Sequence, residues 1–234
     1  MNYQTMLKAE NIPYRTLELP VPGDLKSRQA LGGLKRSYLL IKRGMDLTCS
    51  MVVIAGILSW LLPVIAALIK LDSRGPVFFL QKRIGRDKKI FTCYKLRTMV
   101  VNSYADERPC AENDERITRF GRFLRTTHVD ELPQFFNVLW GSMSLVGPRP
   151  YMLSDDQRID VLVPGHSFRN YVKPGITGLS QVKGYHGGEM DIKILFSRYQ
   201  WDAFYVRNAC LPLDFRVISS TMRLFFTQKI GLWK

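Results

Sequence analysis

Leu47-Thr48-Cys49-Ser50-Met51-Val52-Val53-Ile54-Ala55-Gly56-Ile57-Leu58-Ser59-Trp60-Leu61-Leu62-Pro63-Val64-Ile65-Ala66-Ala67-Leu68-Ile69 runs for 23 residues without a charge, between Asp46 and Lys70. As a straight helix it reaches about 34 Å at ~1.5 Å per residue, against roughly 30 Å of bilayer hydrocarbon. A membrane segment is the reading that organises everything around it. Both flanks are basic: Arg28, Lys35, Arg36, Lys42 and Arg43 precede it, and Lys70, Arg74, Lys82, Arg83, Arg86, Lys88 and Lys89 follow. Because Lys and Arg accumulate on the cytoplasmic side, two basic flanks admit a segment that enters the membrane and returns to the same face. Pro63 removes one backbone hydrogen bond and supplies a bend, and Ser59 at i−4 offers a hydroxyl to the opened backbone. An ordinary spanning helix with a tolerated proline explains the same run equally well.

The chain around this segment has 234 residues, 34 Lys+Arg against 20 Asp+Glu for a formal charge of +14, and 46% apolar residues. That length fits one domain with an appendage, and the apolar content excludes a disordered basic tail. The charge asks for an anionic partner: nucleic acid, a phospholipid surface or a phosphorylated small molecule. Cys49, Cys93, Cys110 and Cys210, with His128, His166 and His186, are scattered, which argues against zinc fingers and disulfide scaffolds.

Residues 1–34 read as a short leader without a signal-peptide pattern. Residues 35–70 form a basic approach and the membrane helix, and 71–234 a folded domain. Within it, Val77-Phe78-Phe79-Leu80 and Ile90-Phe91-Thr92-Cys93-Tyr94 flank a charged turn and predict a hairpin. Residues 102–115 predict an exposed loop, and helix resumes near Thr118. Arg116, Arg119, Arg122 and Arg125 recur every third residue with Phe120, Phe123 and Leu124 between them, a pattern suited to an anionic surface or to a solvated face over a small core. Leu195–Val206 and Leu213–Lys229 carry apolar residues at helical spacing, with Trp201, Phe204, Tyr205, Phe225 and Phe226 suiting either an interface or a core.

Chemistry concentrates in Arg125-Thr126-Thr127-His128-Val129-Asp130-Glu131-Leu132-Pro133-Gln134. Adjacent carboxylates on a helix differ by about 100°, so Asp130 and Glu131 predict different tasks. One could attack as an ionised nucleophile and the other hold a hard cation; a plain surface pair is the alternative. In Gly147-Pro148-Arg149-Pro150 two prolines fix the backbone on both sides of one arginine, ready for bidentate phosphate recognition or a structural ion pair. Pro174-Gly175-Ile176-Thr177-Gly178 is a second tight loop, a ligand cradle or simply a turn.

In this order the motifs resemble the bacterial sugar transferase family, the monotopic phosphoglycosyl transferases that make polyprenyl-diphospho-sugars. The resemblance runs through Lys42-Arg43-Gly44-Met45-Asp46, Gly75-Pro76-Val77-Phe78-Phe79-Leu80-Gln81, Tyr94-Lys95-Leu96-Arg97-Thr98-Met99, Asp130-Glu131-Leu132-Pro133-Gln134, Gly147-Pro148-Arg149-Pro150, Lys173-Pro174-Gly175-Ile176-Thr177-Gly178 and Asp202-Ala203-Phe204-Tyr205-Val206-Arg207-Asn208. It implies a small, mostly helical α/β catalytic domain over residues 71–234, with a re-entrant membrane helix and amphipathic interfacial helices. It also implies the cytoplasmic face of the bacterial inner membrane as the location. The implied reaction moves a hexose 1-phosphate, of glucose or galactose type, from a UDP-sugar to undecaprenyl phosphate, as the first membrane step of exopolysaccharide or glycoconjugate synthesis.

By matching positions, Asp130 is the nucleophile and Glu131 the ligand of Mg²⁺. Arg125 and Arg149 hold phosphates, with Pro148 fixing Arg149. Lys95, Gly175, Thr177 and Asp202 join the substrate site, and Ser59 and Pro63 mark the membrane bend. The family's bend is usually a Ser-Pro pair, whereas Trp60 follows Ser59 here. Gly184-Tyr185-His186-Gly187-Gly188 looks most like members that transfer glucose phosphate. Anionic membrane lipids are expected partners, nucleic acid is not, and a homo-oligomer is compatible with the sequence. Long relatives carry further membrane helices and another domain, and this length resembles the minimal catalytic form. The competing expectation is a non-catalytic membrane-anchored basic module that binds anionic lipid or nucleic acid.

Overall fold

The computed structural model describes residues 35–101, 114–163, 165–185 and 192–231. The leader 1–34, most of the predicted loop 102–115, and His186-Gly187-Gly188 lie outside the described residues. The apolar run belongs to one 37-residue helical path, Arg36–Asp72. It comprises α1 (Arg36–Val53), a single π-helical stretch (Ile54–Leu58) and α2 (Ser59–Asp72). The expected bend residues, Ser59 and Pro63, both fall in α2. Pro63 sits inside α2, but the regular ladder departs before it, at Ile54–Leu58. There the wider turn loosens carbonyls, and side chains answer them: Ser59 Oγ donates to the Ala55 carbonyl at 2.6 Å and Trp60 Nε1 to that of Gly56 at 2.9 Å.

The middle of this helix keeps Met51, Val52, Trp60 and Val64 exposed, whereas both ends are fastened to the same body. At the front, Asp46 is buried and its Oδ1 accepts from Ser144 Oγ and the Leu145 N–H at 3.0 and 2.9 Å. Arg43 donates to the Val138 and Leu139 carbonyls. At the rear, Arg97 donates to the carbonyls of Ile69, Ser73 and Arg74. The Ile69 carbonyl also accepts from the Ser73 N–H, and Ser73 and Arg74 lie just past α2, so the arginine clamps the exit of the helix. Ile65 and Ile69 pack there with Leu96 and Leu124.

The body is mostly helical, with two small two-stranded sheets. The predicted hairpin is present: β1 (Phe78–Ile84) runs antiparallel to β2 (Ile90–Leu96), pairing Phe79 with Lys95 and Gln81 with Cys93. Then come α3 (Arg119–Thr126), α4 (Gln134–Trp140), β3 (Ser144–Val146) and α5 (Leu153–Leu162). After these, β4 (Gly175–Thr177) pairs in parallel with β3, and α6 (Leu179–Val182), α7 (Ile192–Asn208) and α8 (Leu211–Gly231) close the fold.

Thr118 caps α3 by accepting from the Gly121 N–H, so the arginine spiral is shorter than its spacing suggests. Arg116 stands upstream of the helix and pairs with Asp114 at 2.6 Å. Of the residues between the arginines, Leu124 is buried and Phe123 exposed. The main core joins Tyr38 of α1, Val138 of α4, Val146 of β3, Tyr205 of α7 and Val217 of α8. A second core gathers Tyr151, Ile159, Leu195 and Tyr199.

Candidate active site

α3 ends at a residue that cannot extend it cheaply. His128 adopts the left-handed conformation, φ 56°, which costs an L-residue roughly 1–2 kcal/mol and turns the chain into the short 3₁₀ turn Val129–Glu131. That turn buries Asp130 and leaves Glu131 partly open. The two carboxylates have opposite surroundings. Lys95 Nζ on β2 donates to Glu131 Oε1 at 2.7 Å, and Arg149 donates to Oε1 at 2.6 Å and to Oε2 at 3.1 Å. Asp130 has no hydrogen bond or ion pair among the described residues, at 9% exposure.

Their protonation follows from this difference. Burial pushes the Asp130 carboxyl above the usual carboxylate range and the Glu131 charge adds to that, while Lys95, Arg125 and His128 pull it back. Burial alone would raise Glu131 too, but Arg149 and Lys95 together hold it well below the usual range. Burial lowers the Lys95 amine, with Arg83 and Arg149 adding to the effect and Glu131 opposing it. The site thus contains one securely ionised carboxylate that Lys95 and Arg149 share, beside one whose oxygens are uncommitted. Arg125 joins at the edge, its Nε donating to Thr98 Oγ1 at 2.8 Å and its charge reaching Asp130.

The loop carrying Arg149 is held through its backbone. Gly147 N–H donates to the Thr177 carbonyl and Gly175 N–H to that of Pro148. Arg169 Nη2 donates to the Arg149 carbonyl at 2.6 Å and Arg83 Nη1 to that of Pro150 at 2.5 Å. Gly147, Gly175 and Gly178 meet so closely that a Cβ on any of them would overlap the neighbouring backbone. These contacts place three of the residues expected at the substrate site. Gly175 is buried against Gly147 and serves packing, and the Thr177 hydroxyl meets that of Thr221 on α8 at 2.7 Å. Asp202 is 1% exposed and binds Arg169 at 2.8 Å, and Arg169 in turn donates to the Arg149 carbonyl.

Sequence reasoning missed Arg83, Arg169 and Asn137. The buried Asn137 side chain accepts from Tyr94 N–H and donates to the Thr92 carbonyl, locking α4 to the strand that carries Lys95. Arg83 stood among the basic flank residues, and Asn137 and Arg169 lie outside every motif singled out above.

As a cation site the set is sparse. Glu131 accepts three charge-assisted bonds, of about four that a carboxylate can take, which leaves capacity on Oε2. No group of three or more His, Cys, Asp or Glu side chains among the described residues could hold a metal. A hard cation that uses one or two carboxylates and completes its shell with substrate phosphate and water fits this donor set; an all-protein cage does not.

The chain is similar in sequence to known proteins. Residues 37–228 match the model of the family described as bacterial sugar transferase. The UDP-glucose:undecaprenyl-phosphate glucose-1-phosphate transferase of Klebsiella pneumoniae is 40% identical over 82% of this chain and 41% of its own length. The UDP-N-acetylgalactosamine-undecaprenyl-phosphate N-acetylgalactosaminephosphotransferase of Aeromonas hydrophila is 41% identical, over 84% of this chain and 47% of its own. The chain therefore spans less than half the length of these two curated relatives. The exopolysaccharide production protein PSS of Rhizobium leguminosarum bv. phaseoli is 39% identical, over 79% of this chain and 94% of its own. With the family model covering most of the residues, and Asp130, Glu131, Arg149 and Lys95 meeting in one site, the chain belongs to the bacterial sugar transferase family.

Proposed function

We propose that the protein transfers a hexose 1-phosphate, of glucose or galactose type, from a UDP-sugar to undecaprenyl phosphate, as the first membrane step of exopolysaccharide or glycoconjugate synthesis. The observation that carries this reading is the uncommitted, buried Asp130 carboxylate beside a Glu131 that Lys95 and Arg149 hold ionised. An Asp130 oxygen attacks the sugar-bearing phosphorus of the UDP-sugar. The phosphoanhydride bond breaks, UMP leaves with its electron pair, and a phosphosugar-aspartyl enzyme forms. An oxygen of undecaprenyl phosphate then attacks the same phosphorus, the aspartyl bond breaks, and undecaprenyl-diphospho-sugar leaves with Asp130 restored. The acceptor phosphate has a second pKa near ~6 and is largely dianionic at neutral pH, so no strong base is needed.

Arg149 and Arg125 bring guanidinium charge to the phosphates, which is worth most in a water-poor site. Lys95 keeps Glu131 in place and adds positive charge near the reacting phosphorus. Mg²⁺ is the cation proposed here; Glu131 would hold it, and it would neutralise diphosphate charge.

The proposed placement is the cytoplasmic face of a bacterial inner membrane, with residues 35–70 as the membrane unit and 71–234 as the catalytic unit. Re-entrance of α1–α2 is supported by the attachment of both ends to one body, at Asp46 and at Ile69. Its path of about 55 Å at ~1.5 Å per residue is also more than one crossing requires. Two measurements test the reading. Purified protein given UDP-hexose without lipid acceptor is expected to release about one UMP per chain and gain the mass of a phosphosugar on the Asp130 peptide. Continued release without acceptor would mean hydrolysis instead. Cysteines placed in 35–43 and 70–90 should react from the same side of sealed vesicles; labelling from opposite sides would rule out re-entrance.

A further inference from the structure

A cavity of about 460 Å³ opens between α1, the Arg86–Lys88 turn, β3 and the segment leading into β4, and shares no residue with the Lys95–Glu131–Arg149 cluster. Lys42, Arg43, Arg86 and Lys173 line it, against two carboxylates, Asp46 and Asp87. The carboxylates are mostly engaged elsewhere. Asp46 turns its Oδ1 to Ser144 and Leu145, and Asp87 lies beside Arg86 at 3.3 Å. Lys42 is taken by Asp214 at 2.8 Å.

Lys173 differs from the other three cations. Its ammonium is half-buried and makes no hydrogen bond or ion pair among the described residues. The Arg43 guanidinium lies close to it. A Cβ on Gly141, which has φ +85°, would stand 3.3 Å from Lys173 Nζ and 3.4 Å from Arg43 Nη2. Two like charges thus converge beside Gly141, whose backbone conformation favours glycine. Burial, Arg43 and Arg86 lower the Lys173 amine, and Asp46 opposes them. An arrangement of this kind is relieved by an anion between the two cations.

We propose that this cavity is a second phosphate-binding site, with Lys173 and Arg43 as direct ligands and Arg86 at its rim, for a lipid headgroup phosphate or a free phosphate. The lipid source has a positional argument. Leu39, also in the lining, is 44% exposed, and the uncharged run begins directly after Asp46. The mouth then lies where basic pockets beside membrane helices meet headgroups. That arm rests on the membrane placement proposed above; the free-phosphate arm does not.

The test is competitive acylation of lysines, read peptide by peptide on the full chain, in detergent with or without inorganic phosphate and in phosphatidylcholine nanodiscs with or without phosphatidylglycerol. An anion at ten times its Kd leaves the site empty about a tenth of the time, so Lys173 should acylate about tenfold more slowly while exposed Lys89 is unchanged. Protection by inorganic phosphate in detergent assigns a free phosphate. Protection confined to phosphatidylglycerol assigns a lipid. No protection by either, or equal slowing at Lys89, overturns the site. Arg86→Gln, at an exposed position, should weaken the protection several-fold. The readout does not involve UMP release, so its failure and that of the transferase reading are separable.

Discussion

Two clusters of positive charge in this molecule differ in what answers them. Around Glu131, Lys95 and Arg149 share one carboxylate through three short bonds, and the arrangement is closed from behind by Arg169 and Asp202. Around Lys173, two cations converge without a carboxylate between them. A closed cluster positions groups and fixes protonation, because removing any member leaves a buried charge uncompensated. An open one has capacity for an external anion. The +14 of the chain thus includes cations engaged in internal pairing and cations that converge without a carboxylate between them.

The largest effect should come from the one carboxylate in the first cluster that is not paired. Asp130→Asn should lower turnover by about 10⁴-fold or more and abolish the covalent adduct, measured by UMP release and by peptide mass. Turnover near the wild-type rate would remove the nucleophile assignment. Next comes the support behind Arg149. Arg169→Met or Asp202→Leu alone should cost about 3–5 kcal/mol in urea unfolding, by leaving a buried charge alone. The double variant should recover much of that stability without recovering kcat, since the Arg149 carbonyl still lacks its donor. Full recovery of kcat would reduce the pair to packing.

Glu131→Gln removes the carboxylate that Lys95 and Arg149 share, bringing the first cluster closer to the second, and should cost about 2–3 kcal/mol. Its pH signature has a definite sign. The Glu131 pKa is depressed in the fold, so its contribution is present above the unfolded value of about 4.3 and is lost as pH falls through the lower folded value. Asp130 is raised, so its contribution is present below about 3.9 and is lost as pH rises through the folded value. Urea midpoints between about pH 3 and pH 7 should accordingly lose the acid-side slope in Glu131→Gln and gain stability near neutrality in Asp130→Asn. Arg86→Gln is the smallest change, within about 0.5 kcal/mol of wild type in stability, because the side chain is exposed and paired only with its neighbour.

Much of the site could be read from local sequence because its chemistry lies in short motifs. Asp130-Glu131 and Arg149 between two prolines stand out without a partner being known. The hairpin was legible for the same reason, as apolar runs flanking a charged turn. What could not be read was which cation meets which carboxylate. Lys95 reaches Glu131 across 36 positions and Asp46 reaches Leu145 across 99, and no periodicity encodes such pairings. Asp202 illustrates that gap: its motif gave no hint that the buried side chain pairs with Arg169. The π-helical stretch was not legible either, because proline is the strong local signal there, whereas a π turn depends on which carbonyls find donors, here from Ser59 and Trp60.

The sequence by itself determined that a long uncharged helix exists, that a carboxylate pair and a proline-framed arginine accompany it, and that the charge excess seeks anions. Those properties follow from composition and from spacings shorter than one helical turn or one loop. Only the tertiary structure decided that Glu131 is held by Lys95 and Arg149 while Asp130 stays uncommitted, and that Lys173 and Arg43 face each other across Gly141. Charge pairing and desolvation depend on distance in space, and folding alone brings these distant positions within a few ångströms.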